Sequence, residues 1–173
     1  MASPHAEIPP PATAPSRVPG WPLPPYRYVP GLHPHPFRHP GGHLHTDGSP
    51  PAEAPWDPNT PWRSDTRYLR ALDLYDHRFY WEAHEALEAL WHFAPRDGPD
   101  APLLQGLIQG AAFALKRHMG HEAAAARLLE RAIHHLDLAE ARGGPQQRGL
   151  DLEAVRRSLR AFAAGGDWPV LGG

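Results

Sequence analysis

His84 and Glu88 stand one helical turn apart in the stretch Phe79-Tyr80-Trp81-Glu82-Ala83-His84-Glu85-Ala86-Leu87-Glu88-Ala89-Leu90-Trp91-His92. An imidazole and a carboxylate at i and i+4 face the same way and can share one divalent metal ion. Their ligand chemistry suits zinc, iron, manganese or nickel, and a metal there could turn bound water into a nucleophile. Glu85 or an arm histidine such as His35 would complete the set. The pattern is not HExxH, because position 88 is Glu. No second helix repeats an ExxH pair. A quieter reading is a buried polar network. In it His84 bonds Glu88, Gln105 and Gln109 close the circuit, and Trp81 and Trp91 pack over it. A third reading makes the same side chains a groove for a small ligand.

The helix that carries this stripe is amphipathic at about 100° per residue. Leu72, Tyr75, Phe79, Ala83, Ala86 and Leu90 form a core face. His77, Trp81, His84, Glu88 and Trp91 form a second. Arg78, Glu82, Glu85, Ala89 and His92 fall on a third face, which reads as solvated and weakens Glu82 and Glu85 as acid–base groups. Asp65 or Ser64 suits the cap, and the helix is expected to reach about Phe93, with a break near Asp76 or His77. After a turn at 94–101, Pro102 opens a second helix, to about Met119. It has no charge between Leu103 and Leu115. Gln105 and Gln109 are its only polar side chains there, and Gly106 and Gly110 make a smooth strip for a neighbouring helix. A short connection makes these two helices antiparallel. That brings the buried amides level with His84 and Glu88. Gly120 ends the second helix, a third runs from His121 to about Ala141, and Asp151 caps a fourth.

At this point the pairing of Glu82-Ala83-His84-Glu85…Glu88…Trp91 with Leu104-Gln105-Gly106-Leu107-Ile108-Gln109 resembles the bacterial and archaeal DUF309 family. The likeness covers about residues 65–140. It implies an all-helical fold and assigns no catalytic role. The segment Tyr26-Arg27-Tyr28-Val29-Pro30-Gly31…His43 is similar to an N-terminal extension found in a subset of that family.

Composition sets the outer limits. The chain has 173 residues, no cysteine and a formal net charge of -2. Thiolate chemistry and disulfides are excluded, and a reducing cytoplasm is the expected location. The charge gives no footprint for nucleic acid or an anionic membrane. No apolar run approaches a membrane span, and no basic-then-apolar leader is visible. Of 23 prolines, 18 lie in residues 1–64. That division predicts a disordered tail over 1–20, a Pro/His-rich extended arm and linker over 21–63, a helical domain over 64–165 and a loose tail over 166–173. Trp21, Tyr26, Tyr28, Leu32 and Phe37 are too apolar for a solvated linker, so the arm should lie on the helical domain.

The expected protein is all-α: a compact array of about four helices with a Pro-rich extended N-terminal arm. Its expected role is a non-enzymatic interaction or scaffold domain, with self-association into a homo-oligomer through the arm or an apolar face, and a protein partner the sequence does not name. The alternatives are a metal-dependent hydrolase using His84 and Glu88, and a small-ligand binder between the first two helices.

Overall fold

A computed structural model describes residues 6–47 and 55–172. Five helices follow one another: α1 (Thr66–Asp76), α2 (Tyr80–Trp91), α3 (Asp100–His118), α4 (Glu122–Gly143) and α5 (Leu152–Ala163). A two-stranded antiparallel hairpin, β1 (Gln146–Gln147) with β2 (Leu150–Asp151), stands before α5. The all-α expectation holds, with one helix more than the count of four.

The extra helix comes from the break after Asp76. Arg78 adopts φ 65°, a left-handed conformation that only glycine takes freely. The Phe79 amide reaches back to Leu74 O at 2.8 Å and the Arg78 amide to Tyr75 O at 2.9 Å. This is the six-to-one and five-to-two pattern that ends helices. The Arg78 side chain holds the turn by donating to Pro9 O at 3.1 Å and lying 5.3 Å from the Trp168 ring. Asp65 caps α1 by accepting from the Tyr68 amide at 3.0 Å, and Asp151 caps α5 through the Glu153 and Ala154 amides.

Helix α3 is the axis of the core. It packs against α2, α4 and α5, and twelve of its residues are buried. The glycine strip works as its spacing suggested. A Cβ at Gly106 would stand 2.8 Å from Leu136 Cγ of α4, and one at Gly110 would stand 3.0 Å from the Tyr75 hydroxyl. The hairpin had no signal in the hydrophobic pattern. Its turn uses Arg148 (φ 44°) and Gly149 (φ 80°), the two positive φ values that match strand twist in a tight turn. Arg148 then grips Asp100 at the start of α3, with Nε to Oδ1 at 2.6 Å.

Two segments expected to be loose are docked. Of the 1–20 tail, residues 1–5 lie outside the described set, while Ile8 is buried in the core. Asp73 of α1, fully buried, accepts from Ser16 Oγ at 2.7 Å and from the Arg17 and Val18 amides at 2.9 and 3.1 Å. The Arg17 guanidinium bridges Asp73 and Asp76 and donates to Gly172 O at 3.0 Å. At the other end, Leu171 is buried, its amide bonds Asp76 Oδ1 at 2.7 Å, and Trp168 stacks on Phe162 and Tyr80. Proline-rich chain cannot form a ladder, so it is held by side chains that reach its backbone. Of the arm and linker over 21–63, residues 48–54 lie outside the described set, while Trp56 is buried and donates to Asp65 at 2.7 Å. Among the described residues, no helix is long and apolar enough to cross a membrane.

Candidate functional site

Helix α2 turns its N-terminal half toward the arm. Trp81 is the centre of an aromatic clasp, with Tyr28, His35 and Phe37 ring centroids at 5.1, 5.5 and 5.6 Å. Arg27 donates to His77 O at 2.8 Å and its guanidinium lies 4.4 Å from the Phe79 ring. Tyr26 is held between His33, stacked at 5.0 Å, and His43, edge-on at 4.6 Å. Its hydroxyl donates to Pro34 O and accepts from the His43 amide. So the arm of residues 21–45 lies on the helical domain, as its aromatic content predicts.

The docked arm corrects one expectation about α2. Glu82 is not solvated. Its side chain is 2% exposed, because the arm covers the helix face that a wheel assigns to water. Glu82 Oε1 accepts the Tyr28 amide at 3.1 Å. His43 Nε2 lies 3.6 Å from the same oxygen, and the His43 side chain is 6% exposed. That gap is too long for a direct hydrogen bond. Glu82 Oε2 and both His43 ring nitrogens are buried without a partner. Burial pushes the Glu82 carboxyl up to about 7, against the Tyr28 amide and the Arg27 charge. Burial pushes the His43 imidazole down. Burial thus disfavours the charged form of both groups.

The rest of the predicted cluster divides in two. His84 Nδ1 lies 3.4 Å from Glu85 Oε1 and 3.9 Å from Glu88 Oε2, all three side chains being 30–42% exposed. One ligand atom from each falls within 4.8 Å of the others. These three could hold a divalent ion, and Glu85 supplies the third group the metal reading needs. His35 does not join them; its Nδ1 accepts the Phe37 amide at 3.3 Å while its ring packs on Trp81. Trp91 stands at the far end of α2 under the Arg96 guanidinium, 3.8 Å from its ring. Gln105 shares a shallow pocket with Trp91 and His135. Among the described residues, no hydrogen bond links His84 or Glu88 to Gln105 or Gln109, and Gln109 Oε1 is buried without a partner. The closed circuit of the network reading is absent.

The candidate functional face is the arm side of α2, where Glu82 and His43 are the buried pair. Sequence reasoning placed His43 only at the end of the arm segment that resembles the family's N-terminal extension.

An α-helical domain strapped by an ordered proline-rich arm, with its buried acid under that arm, is the class of protein defined here. Residues 68–128 match the model of a family described as Domain of unknown function (DUF309). The span runs from Tyr68 in α1 to Leu128 in α4 and takes in α2 and α3 whole; the arm lies before it. No curated protein and no solved structure matches the chain.

Proposed function

We propose that this protein is a non-enzymatic interaction module. The arm side of α2 recognises an extended segment rich in aromatic residues and proline, and the chain's own residues 21–45 occupy that side. The observation that carries the reading is the division of labour at Trp81 and Glu82. Trp81 packs on three arm rings, while Glu82 takes a backbone amide of the same arm. Aromatic surfaces that grip a stiff extended chain, with a polar group to fix its register, are a recurrent way of binding proline-rich peptides. Stiffness helps because such a segment loses little entropy on docking. A second copy of the chain carries the same segment, so exchange of arms between copies is the simplest partner chemistry.

The test uses the full chain and a fluorescent peptide of residues 21–45. The peptide should bind in competition with the chain's own arm, seen as a rise in anisotropy. Trp81→Ala should weaken that binding by at least about tenfold. A peptide that never binds folded protein, or binds Trp81→Ala equally well, would sink the reading.

One observation favours a second reading, a divalent metal: the close grouping of His84, Glu85 and Glu88. Plasma mass spectrometry decides it. Stoichiometric metal that is lost in His84→Ala supports the site, and metal-free protein removes it.

A further inference from the structure

A cavity of about 340 Å³ opens between the arm and α1/α2. That volume lies at the small end of ordinary ligand pockets. Trp21, Phe37 and Leu44 form its arm side, and Leu74, Ala86 and Ala89 its helix side. The arm side is the unusual part. Trp21, Phe37 and Leu44 are 47%, 38% and 41% exposed, among the most exposed large apolar residues described. Three such side chains around one opening make an apolar mouth, whereas single exposed ones need no explanation. Glu82 and His43 also line the cavity.

We propose that this cavity binds a small, uncharged, largely apolar molecule whose one polar group both donates and accepts a hydrogen bond, set between His43 and Glu82. A primary amide on an aromatic or aliphatic body is the simplest example. Three observations meet here. Glu82 Oε2 and both nitrogens of His43 have no partner in the chain, and buried polar groups are seldom left so. The 3.6 Å gap between His43 and Glu82 is too wide for a bond and too narrow for a bridging group. Widening it asks for movement of His43, which stands in a turn of the arm outside any helix or strand, together with the Tyr26 ring packed on it. Finally, the charged side chains on the walls already have partners in the chain: Arg70 donates to Trp21 O and Pro22 O, Arg67 to Pro55 O, and Glu85 lies 3.4 Å from His84. A net charge on the ligand would have to leave water with nothing spare to compensate it.

Glu82 Oε2 without a donor, beside an imidazole whose N–H and ring acceptor are both unmet, matches an amide at both its ends.

The experiment is titration of the full-length protein with benzamide, toluene, benzoate and benzylammonium. It is followed by the fluorescence of Trp21 and by chemical shifts of the Ala86 and Ala89 methyl groups. Benzamide should bind at millimolar concentration or below and shift those methyl groups. Toluene, benzoate and benzylammonium should each bind at least about tenfold more weakly. His43→Phe keeps the ring and removes both nitrogens, and should cost benzamide about tenfold while leaving toluene unchanged. If that variant loosens the arm, seen as faster exchange of the Tyr28 amide, Ala89→Trp takes its place. It fills the cavity from the helix side and should abolish benzamide binding. Toluene binding as tightly as benzamide, benzoate or benzylammonium binding better, or Ala89→Trp binding unchanged would each overturn the proposal. So would the absence of benzamide binding at millimolar concentration.

Discussion

Two carboxylates lie under the proline-rich segments, and the chain treats them in opposite ways. Asp73 is met by the Ser16 hydroxyl, the Arg17 and Val18 amides and the Arg17 guanidinium. Burial alone would raise its pKa; the hydrogen bonds outweigh that and hold it below the usual carboxylate range. Glu82 is met by one arm amide and a histidine just out of bonding range. There burial wins. Both carboxylates are covered, and the number of donors brought to each, set against the depth of its burial, decides whether it is a fastening or a reserve of unmet bonding. A fastening has nothing left to offer a ligand. The unmet group is where binding chemistry is to be sought.

The sharpest way to break this contrast is to remove the fastening. Asp73→Ala leaves Ser16, Val18 and part of Arg17 without their acceptor. It should destabilise the protein by about 3–5 kcal/mol in denaturant unfolding. A loss below about 1 kcal/mol would mean that Asp76 alone holds residues 16–18.

Glu82 should show the next largest effect, and its sign depends on pH. The folded carboxyl titrates near 7, above its ordinary 4.5. Its contribution is therefore fully present below about pH 4.5 and is lost as pH rises toward 7, by about 3 kcal/mol across that window. Asp73, with a depressed pKa, works the other way. Its contribution holds above the ordinary aspartate value and is lost in stronger acid. His43, depressed by burial, also works like Asp73: its contribution holds above the ordinary histidine value and is lost as pH falls below it, so it opposes Glu82 in that window. Glu82→Gln keeps the shape, cannot ionise, and should flatten the slope between pH 4.5 and 7. A slope that survives the substitution would assign the pH dependence to another group.

The smallest effect sharpens the comparison. Ser16→Ala removes one of several bonds to Asp73 and should cost about 1 kcal/mol. Melting curves that show no change would mean water replaces the hydroxyl at no loss.

These contrasts also mark what could be read from the residues in advance. Helical period, the caps at Asp65 and Asp151, the stop at Gly120 and the close approach at Gly106 were legible, because each depends on neighbours within a turn or two. The break at Arg78 was placed within two residues, but its left-handed backbone had no glycine to announce it. The hairpin at 146–151 is too short for a period and rests on Arg148 reaching Asp100. The docking of residues 6–20 and of the tail was missed, since proline-rich chain has no repeating face and is fixed by distant groups. The same cause hid Glu82. A helical wheel knows the helix but not the strap laid over it. His84, Glu85 and Glu88 did come together, because their grouping is local to one helix. Gln105 and Gln109 did not join them, because that step needed the exact rotation of α2 on α3.

Arg17 has a consequence for how fast the molecule assembles. Its guanidinium touches α1 and also Gly172, 155 residues further along the chain. Bundles of helices fold quickly because their contacts are close in sequence. This contact is among the most remote the chain can make, and it can form only once α1 and the final segment are both in place. Hydrogen-exchange labelling during refolding should show α2, α3 and α4 protected early, and the belt through Arg17 closing last. Time as well as energy then separates a helical centre that forms on its own from the wrapping that completes it.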